Sequence, residues 1–153
     1  MEQYPYFPMF IDISKKKIVV IGAGKIARRR IETLTKFASC ITVVSPDLND
    51  SVAALEQSGK IAVRRKKYEK SDIEGADIVL AATNDNAVND AVWADCKALG
   101  ITVNVCSDVN KDDFFFPGVA VKGGLVIGVT ASGSDHSLAR RASERVREII
   151  DEF

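Results

Sequence analysis

The chain has few of the residues that build a disulfide scaffold or a metal centre. Its 153 residues include three cysteines, Cys40, Cys96 and Cys106, and one histidine. An odd number of widely spaced cysteines gives neither a disulfide framework nor a Cys-x-x-Cys metal pattern. We interpret Cys40 and Cys96 as small buried hydrophobic residues and place Cys106 near the predicted active site. No resident metal is expected, because a stable site needs about three or four ligands.

The chain also lacks an excess of charge of either sign and lacks a long apolar run. Twenty-one basic and 21 acidic side chains give a formal net charge of zero, which argues against nucleic acid as the main partner. No apolar run approaches the ~20 residues that span a bilayer, so no membrane partner is expected. Glu2, Pro5 and Pro8 interrupt any signal-peptide pattern. We therefore expect a cytoplasmic protein with an ordinary globular core.

One stretch near the N-terminus predicts a nucleotide-binding site. Residues 18–21 are an apolar β-branched run, typical of a strand buried on both faces. Gly22, Gly24 and Ala27 follow in G-x-G-x-x-A spacing, and a helical spacing of apolar residues begins at Ile26. Strand, glycine turn and helix in this order indicate dinucleotide binding, because the turn lets a diphosphate approach the N–H groups of the helix. The alternative is a tight turn that binds nothing.

The rest of the chain predicts a Rossmann-like α/β fold, a doubly wound parallel sheet with a small C-terminal β-hairpin and helix. Five strands are expected, at 18–21, 40–44, 61–64, 78–82 and 101–105. Val119–Val121 and Leu125–Val129 predict an antiparallel hairpin. Residues 4–13 predict an extended arm that ends in a short strand. We assign 1–113 to an NAD-binding Rossmann-like domain and 114–153 to a short strand, hairpin and helix.

The end of the second predicted strand favours NAD over NADP. An acid that binds the ribose is expected about 20 residues after the glycines, and Asp47 lies close to that position. Ser45 is an alternative donor to the ribose, and no arginine stands there to bind a 2′-phosphate. The other interpretation of Asp47 is a helix N-cap or a first-turn acid.

Five further motifs carry a resemblance to a known family. They are Pro8–Ile13, Ala81–Asp85, Val103–Val105, Phe114–Pro117 and Ser137–Arg140. With the glycine motif they resemble precorrin-2 dehydrogenase, the N-terminal domain of siroheme synthase, over nearly all of residues 5–150. The resemblance implies NAD-dependent oxidation of precorrin-2 to sirohydrochlorin by a homodimer, and ferrochelatase activity in some members. Many members continue past the position of Phe153 into a helical region, and its absence here weighs against ferrochelatase activity.

The resemblance also implies that 114–153 serve dimerisation and the substrate cleft, and it implies which residues form the site. Further cofactor contacts are expected at Lys25, Ile26, Pro46, Asp47, Thr83, Asn84 and Asn104. Precorrin-2 carries eight carboxylates, and arginine forks match carboxylates in bidentate fashion. We assign four residues to substrate binding, namely Arg28, Ser132, Gly133 and Arg140. Arg29 and Arg30 are interpreted as solvated helix charges.

The predicted oxidation transfers a hydride to the cofactor and a proton to a base. The family often has an aspartate three residues after the asparagine of the fifth strand, where this chain has Ser107. Asp108 is therefore our candidate base, with Asp112 and Asp113 as alternatives and loop capping as the other interpretation of all three. His136 is a candidate acid, base or transient metal ligand, or else a helix cap or surface residue. The competing function is a non-enzymatic NAD-binding module that senses the cofactor or docks on a partner.

Overall fold

The computed structural model describes residues 6–133 and 135–153, which group into two compact units. The sheet unit is Asp12–Phe114, and the hairpin unit combines residues 6–11 with the described residues of 115–153. The observed division falls between Phe114 and Phe115, whereas the sequence-based division stands at 113/114 and places residues 6–11 with the sheet. In the part of the chain that is described, no helix combines the length and the apolar character needed to cross a membrane.

The sheet unit contains five parallel strands in the order β3-β2-β1-β4-β5. The strands are β1 Lys17–Ile21, β2 Cys40–Val44, β3 Ala62–Arg64, β4 Ile78–Ala81 and β5 Thr102–Val105. The helices that connect them are α1 Lys25–Leu34, α2 Asp50–Gln57 and α3 Asn86–Leu99. The predicted Rossmann-like class is confirmed. The sequences of the central strands are continuous apolar runs, because helices cover both faces of a doubly wound sheet.

The helices follow from local sequence. In α1 the buried residues Ala27, Ile31 and Leu34 recur at helical spacing and form one apolar stripe. The Asp85 carboxylate caps α3 by accepting hydrogen bonds from two backbone N–H groups of its first turn. Gly100 ends the same helix in the left-handed region, at φ +68°.

The strand register brings four strand ends to one edge of the sheet. Ile21 of β1 is level with Val44 of β2 and with Ala81 of β4, and Ala81 is level with Val105 of β5. The chain runs outward from β1 to β3 and then returns to place β4 beside β1, so the strand order reverses there. Ligands of open α/β sheets bind outside the carboxyl ends at such a reversal. The loops after β1 and β4 are therefore where a ligand is expected.

The hairpin unit contains two antiparallel strands and a helix, as predicted. They are β6 Gly118–Lys122, β7 Leu125–Val129 and α4 His136–Ile149. Gly118 approaches α4 closely, since a Cβ built on it would lie 2.1 Å from Ser143 Oγ and 2.9 Å from Ser143 Cβ. Ser143 is buried, and its hydroxyl donates to the Ala139 carbonyl at 2.7 Å. The absence of a side chain at residue 118 thus lets the helix lie on the hairpin.

The Gly118→Ala variant is expected to be less stable by about 1–3 kcal/mol, because the added methyl overlaps a buried side chain. Chemical unfolding measures this loss, and combining the change with Ser143→Ala should recover part of it. Gly124→Ala in the same hairpin is the matched control, since its Cβ would meet nothing within 4 Å. Equal stability of the two glycine variants would contradict the close packing of Gly118.

Two predictions about local structure are wrong. Residues 6–13 form no strand, and Phe7, Met9 and Phe10 are exposed; residues 4 and 5 of the predicted arm lie outside the described residues. Neither described sheet supplies a neighbouring strand for this segment. Cys40 is exposed, because it opens β2 at the amino end of the strand, whereas Cys96 is buried in α3 as predicted.

Candidate functional site

The turn after β1 is tightly fixed at Gly22. Its φ is +107°, and its N–H donates to the Val44 carbonyl at 2.9 Å. A Cβ at this residue would lie 2.4 Å from the Ala82 backbone oxygen, closer than real Cβ atoms come. The turn therefore requires glycine both for its dihedral angle and for its approach to the end of β4.

The start of α1 is open to a ligand. Gly24 is the N-cap residue, with extended backbone angles and no side chain to cap the helix, and the first turn carries no acid. Lys25 and Ile26 are exposed, and Ile26 keeps 45% of its surface in spite of its apolar character. Because the first N–H groups of a helix have no partner within the helix, they attract an anion such as a diphosphate. These features support the predicted cofactor contacts at this turn.

The loop after β2 contains the two candidate ribose contacts, Ser45 and Asp47, which differ in their surroundings. Ser45 is buried and its hydroxyl donates to the Asp47 carbonyl at 2.7 Å, so its proton is already used within the loop. Pro46 and Asp47 are exposed, and the Asp47 carboxylate makes no hydrogen bond or ion pair with the described residues. Asn49, not Asp47, caps α2, and Asp50 is the acid of its first turn. The capping interpretation of Asp47 is therefore wrong, and its carboxylate is available to a ribose.

The loop after β4 is organised by a buried amide that the sequence analysis did not single out as a site residue. Asn89 is fully buried in α3, and its Oδ1 accepts from the Thr83 N–H at 3.1 Å and from the Thr83 hydroxyl at 2.8 Å. Its Nδ2 donates to the Thr83 carbonyl and to Ser107 Oγ, which follows β5. Asn84 is exposed, and its amide atoms lie 3.9 Å from a Cβ built on Gly24. Asn89 therefore ties the β4 and β5 loops together beside the glycine turn.

Arg30 is not the solvated charge that the sequence analysis expected. It lies three residues after the buried Ala27 on α1, its Nη1 donates to Asn104 Oδ1, and burial lowers the pKa of its guanidinium group. Asn104 is itself buried, and its Nδ2 donates to the Phe114 carbonyl at 2.9 Å. Because both polar atoms of the Asn104 side chain are engaged inside the fold, Asn104 joins α1 to the end of β5.

The three candidate bases lie in different surroundings. Asp108 caps a short 3-10 helix, since its Oδ1 accepts from the Asn110 N–H at 3.0 Å and its Oδ2 lies 3.6 Å from Lys111 Nζ. Asp113 pairs with Lys97 and accepts from the Val103 N–H at 2.9 Å. The loop-capping interpretation therefore describes Asp108, whereas Asp113 is held by the N–H of a β5 residue and by an ion pair.

Asp112 differs from its two neighbours. Its Oδ1 accepts from the Val105 N–H at 2.5 Å, at the last residue of β5, and its Oδ2 accepts no hydrogen bond from the described residues. Burial raises the pKa of its carboxyl group to about 6, against the opposing effects of the Val105 N–H and the Arg30 charge. A carboxyl group with a pKa near neutrality, at the ligand-binding edge of the sheet, has the properties of a general base.

The remaining candidate residues belong to different units. Arg28 is partly exposed in the sheet unit, with its Nη1 at 3.5 Å from Ser51 Oγ and 3.7 Å from Glu32 Oε1. Ser132, Gly133, His136 and Arg140 belong to the hairpin unit. Ser132 and Gly133 both have positive φ, at +54° and +71°, so they form a sharp turn before α4.

The start of α4 leaves its histidine free of a capping role. Asp135 caps the helix by accepting from the Leu138 N–H at 2.8 Å, so the capping interpretation of His136 is wrong. His136 is exposed, and Arg140 is exposed with its Nε 3.6 Å from Glu144. Among residues 6–133 and 135–153, no group of three or more histidine, cysteine, aspartate or glutamate side chains is arranged to hold a metal ion.

A doubly wound parallel sheet with an open glycine turn at its strand reversal defines a dinucleotide-binding protein of the Rossmann-like class. The comparison with protein families narrows this class. The chain belongs to the family described as "Putative NAD(P)-binding", whose model matches residues 9–118. This match confirms the prediction that the cofactor is NAD, and the family description itself gives the cofactor class as NAD(P).

Individual relatives confirm the resemblance to precorrin-2 dehydrogenase and siroheme synthase. The chain is 37% identical over 147 residues to the "Probable multifunctional siroheme biosynthesis protein HemA" of Ruminiclostridium josui, covering 95% of this chain and 28% of that protein. It is 33% identical over 144 residues to a siroheme synthase of Psychrobacter sp. (strain PRwf-1), covering 94% of this chain and 30% of that protein. The solved structure "SirC, precorrin-2 dehydrogenase" superposes with a TM-score of 0.79 and 27% identity, covering 94% of this chain and 70% of that one. The chain thus spans less than a third of the length of these two sequence relatives.

Proposed function

We propose that the chain is an NAD-dependent precorrin-2 dehydrogenase that oxidises precorrin-2 to sirohydrochlorin in siroheme biosynthesis. One observation carries the proposal: the open glycine turn of β1 and the half-buried Asp112 carboxylate lie at the same edge of one parallel sheet. The first feature suits a diphosphate and the second suits a proton acceptor. A relative that is named as a precorrin-2 dehydrogenase and shares this fold supports the substrate.

The residues of the sheet unit would hold the cofactor. The N–H groups at the start of α1 bind the diphosphate, and Gly24 leaves room for its approach. The free carboxylate of Asp47 accepts hydrogen bonds from ribose hydroxyls and repels a 2′-phosphate, which favours NAD over NADP. Thr83, which is held by Asn89, and the exposed Asn84 would line the next part of the cleft. NAD, when bound, supplies the hydride acceptor for the oxidation.

The protein must also take up one proton for each hydride transferred. Our sequence-based candidate was Asp108, with Asp112 and Asp113 as alternatives, and the contacts support Asp112 among the three. Asp108 and Asp113 are engaged in loop capping and ion pairs, whereas Asp112 keeps one carboxylate oxygen without a hydrogen bond to the described residues. Arg30 stabilises the ionised form of Asp112, so the base is available at neutral pH.

The hairpin unit would contribute substrate contacts and the dimer interface. Within the hairpin unit, Arg140 and the Ser132–Gly133 turn are proposed to bind carboxylate arms of the tetrapyrrole. Arg28 of the sheet unit is proposed as a substrate contact on its own account. Exposed apolar side chains on this unit, namely Val121, Leu125 and Leu138, support the proposed homodimer. Ferrochelatase activity is a separate reaction, for which iron insertion by the unmutated chain and by His136→Ala is the measurement.

The decisive experiment mixes the protein with precorrin-2 and NAD under anaerobic conditions and follows the absorbance of sirohydrochlorin. We expect product formation that depends on NAD and is slower with an equal concentration of NADP. Binding of NAD without any product would instead support the competing function, a non-enzymatic module that senses the cofactor or docks on a partner.

A further inference from the structure

One side chain connects the glycine turn to the neighbouring helix. Asn49 Nδ2 donates to the Ala23 carbonyl at 2.7 Å, and Asn49 Oδ1 accepts from the Val52 N–H at 3.0 Å. Ala23 is the middle residue of the Gly-Ala-Gly turn, and Val52 is fully buried in the first turn of α2. A single amide group therefore fixes the turn to a helix that is anchored in the core.

The second bond of Asn49 is more than helix capping requires. Serine, aspartate and asparagine are all good N-cap residues, because each offers an oxygen to the free N–H groups of the first turn. The bond to Ala23 needs, in addition, a donor that projects away from the helix. The amide group supplies both the acceptor oxygen for the cap and the donor nitrogen for Ala23. The choice of asparagine at this position is thus explained by the glycine turn and not by α2 alone.

The bond to Ala23 also orients the next N–H group of the turn. The carbonyl of Ala23 and the N–H of Gly24 belong to one planar trans peptide and point in opposite directions. The Gly24 N–H donates to no group of the described residues, so it is left unpaired at the point where α1 begins. Holding the carbonyl toward Asn49 turns this free donor to the opposite side of the peptide.

We propose that Asn49 is a positioning residue for the dinucleotide site, which orients the Ala23–Gly24 peptide so that the Gly24 N–H donates to the cofactor's diphosphate. The inference rests on the proposed function in so far as it requires a dinucleotide at this turn. It adds a residue of the β2–α2 loop to a site that the glycine motif alone would place between β1 and α1.

The test compares NAD binding by the unmutated chain and by Asn49→Ser, using calorimetric titration. Serine preserves the cap of α2 but is too short to reach the Ala23 carbonyl. We expect a thermal midpoint close to that of the unmutated chain and a dissociation constant for NAD that rises roughly tenfold, the effect of one lost hydrogen bond to a charged group. In turnover assays the KM for NAD should rise by a similar factor while kcat at saturating NAD is unchanged.

Two further variants make the result unambiguous. Asn49→Asp also keeps the cap, but it places an acceptor against the Ala23 carbonyl, so it should weaken NAD binding at least as much as Asn49→Ser. This variant tests the proposal if the serine variant folds poorly. Ser58→Ala at the other end of α2 is the control and should bind NAD normally, because within the described residues the Ser58 hydroxyl bonds only to the Leu55 carbonyl.

The possible failures are distinguishable. Wild-type affinity in both Asn49 variants, or equal weakening in Ser58→Ala, would overturn the role of Asn49 and leave the dehydrogenase proposal intact. Failure of the unmutated chain to bind NAD would overturn the proposed function itself.

Discussion

The Gly22→Ala variant is expected to lose NAD binding and to be destabilised by roughly 2–5 kcal/mol. Two effects add here, the strain of an L-residue at φ +107° and the overlap of the new Cβ with the Ala82 carbonyl, 2.4 Å away. Such backbone strain costs about 1–3 kcal/mol, and overpacking in a closed site costs about as much again. Urea unfolding measures the stability, and titration with NAD measures the binding.

Alanine variants of two other glycines measure the cost of the backbone strain without the steric overlap. Gly59 and Gly75 have φ of +73° and +74°, and a Cβ built on either would meet nothing within 4 Å. Alanine at either position should therefore cost only about 1–2 kcal/mol from the left-handed backbone and should leave NAD binding unchanged. If Gly22→Ala were no less stable than these controls, the close approach of the turn to β4 would not exist in solution.

The Asp112→Asn variant is expected to lower kcat roughly 100-fold while NAD binding is retained, because general-base catalysis contributes about that much. Asparagine is isosteric and still accepts the Val105 N–H, so the loop should keep its structure. If the proposed function holds, the unmutated chain should lose activity as the pH falls through about 6, because protonated Asp112 cannot take a proton. The variant should lack this acidic limb, which initial rates of sirohydrochlorin formation between pH 5 and 8 would show.

The neighbouring acids provide the comparisons. Asp90→Asn is the control for charge removal, because Asp90 is exposed and, among residues 6–133 and 135–153, its one ion pair is with Lys111. It should keep full activity and the acidic limb. If Asp108→Asn lost the limb and Asp112→Asn kept it, the base would be Asp108, as the sequence analysis first proposed.

Much of the fold could be predicted because it depends on short-range patterns. The β-branched run before Gly22 predicts β1 within a residue of its observed start. The glycine pair at 123 and 124 predicts the hairpin, and β6 and β7 form around it. The resemblance was predictable for a similar reason, since its motifs stand at strand ends and helix starts, where local sequence and structure coincide.

Other features could not be predicted, because they depend on contacts between distant parts of the chain. Arg30 looks like one of three equivalent helix arginines until α1 is placed on the sheet beside Asn104. Asp112 looks weaker than Asp108 as a base for a different reason, because the conformation of the loop after β5 decides which carboxylate is engaged, and the sequence pattern does not show that conformation. The arm at residues 6–13 shows the converse, since an extended apolar segment becomes a strand only where a neighbouring strand offers hydrogen bonds.

The sequence by itself determined the class of fold, the glycine turn and the family, because periodicity, turn residues and motif order are properties of consecutive residues. Only the tertiary structure decided which side chains act together at the edge of the sheet. Asn49 contacts Ala23 and Arg30 contacts Asn104 because strand order and register bring these elements together. These partners are separated along the chain by 26 and 74 residues, so no local pattern encodes their contact. Asp112 contacts Val105, seven residues earlier, because the loop after β5 folds back on the strand.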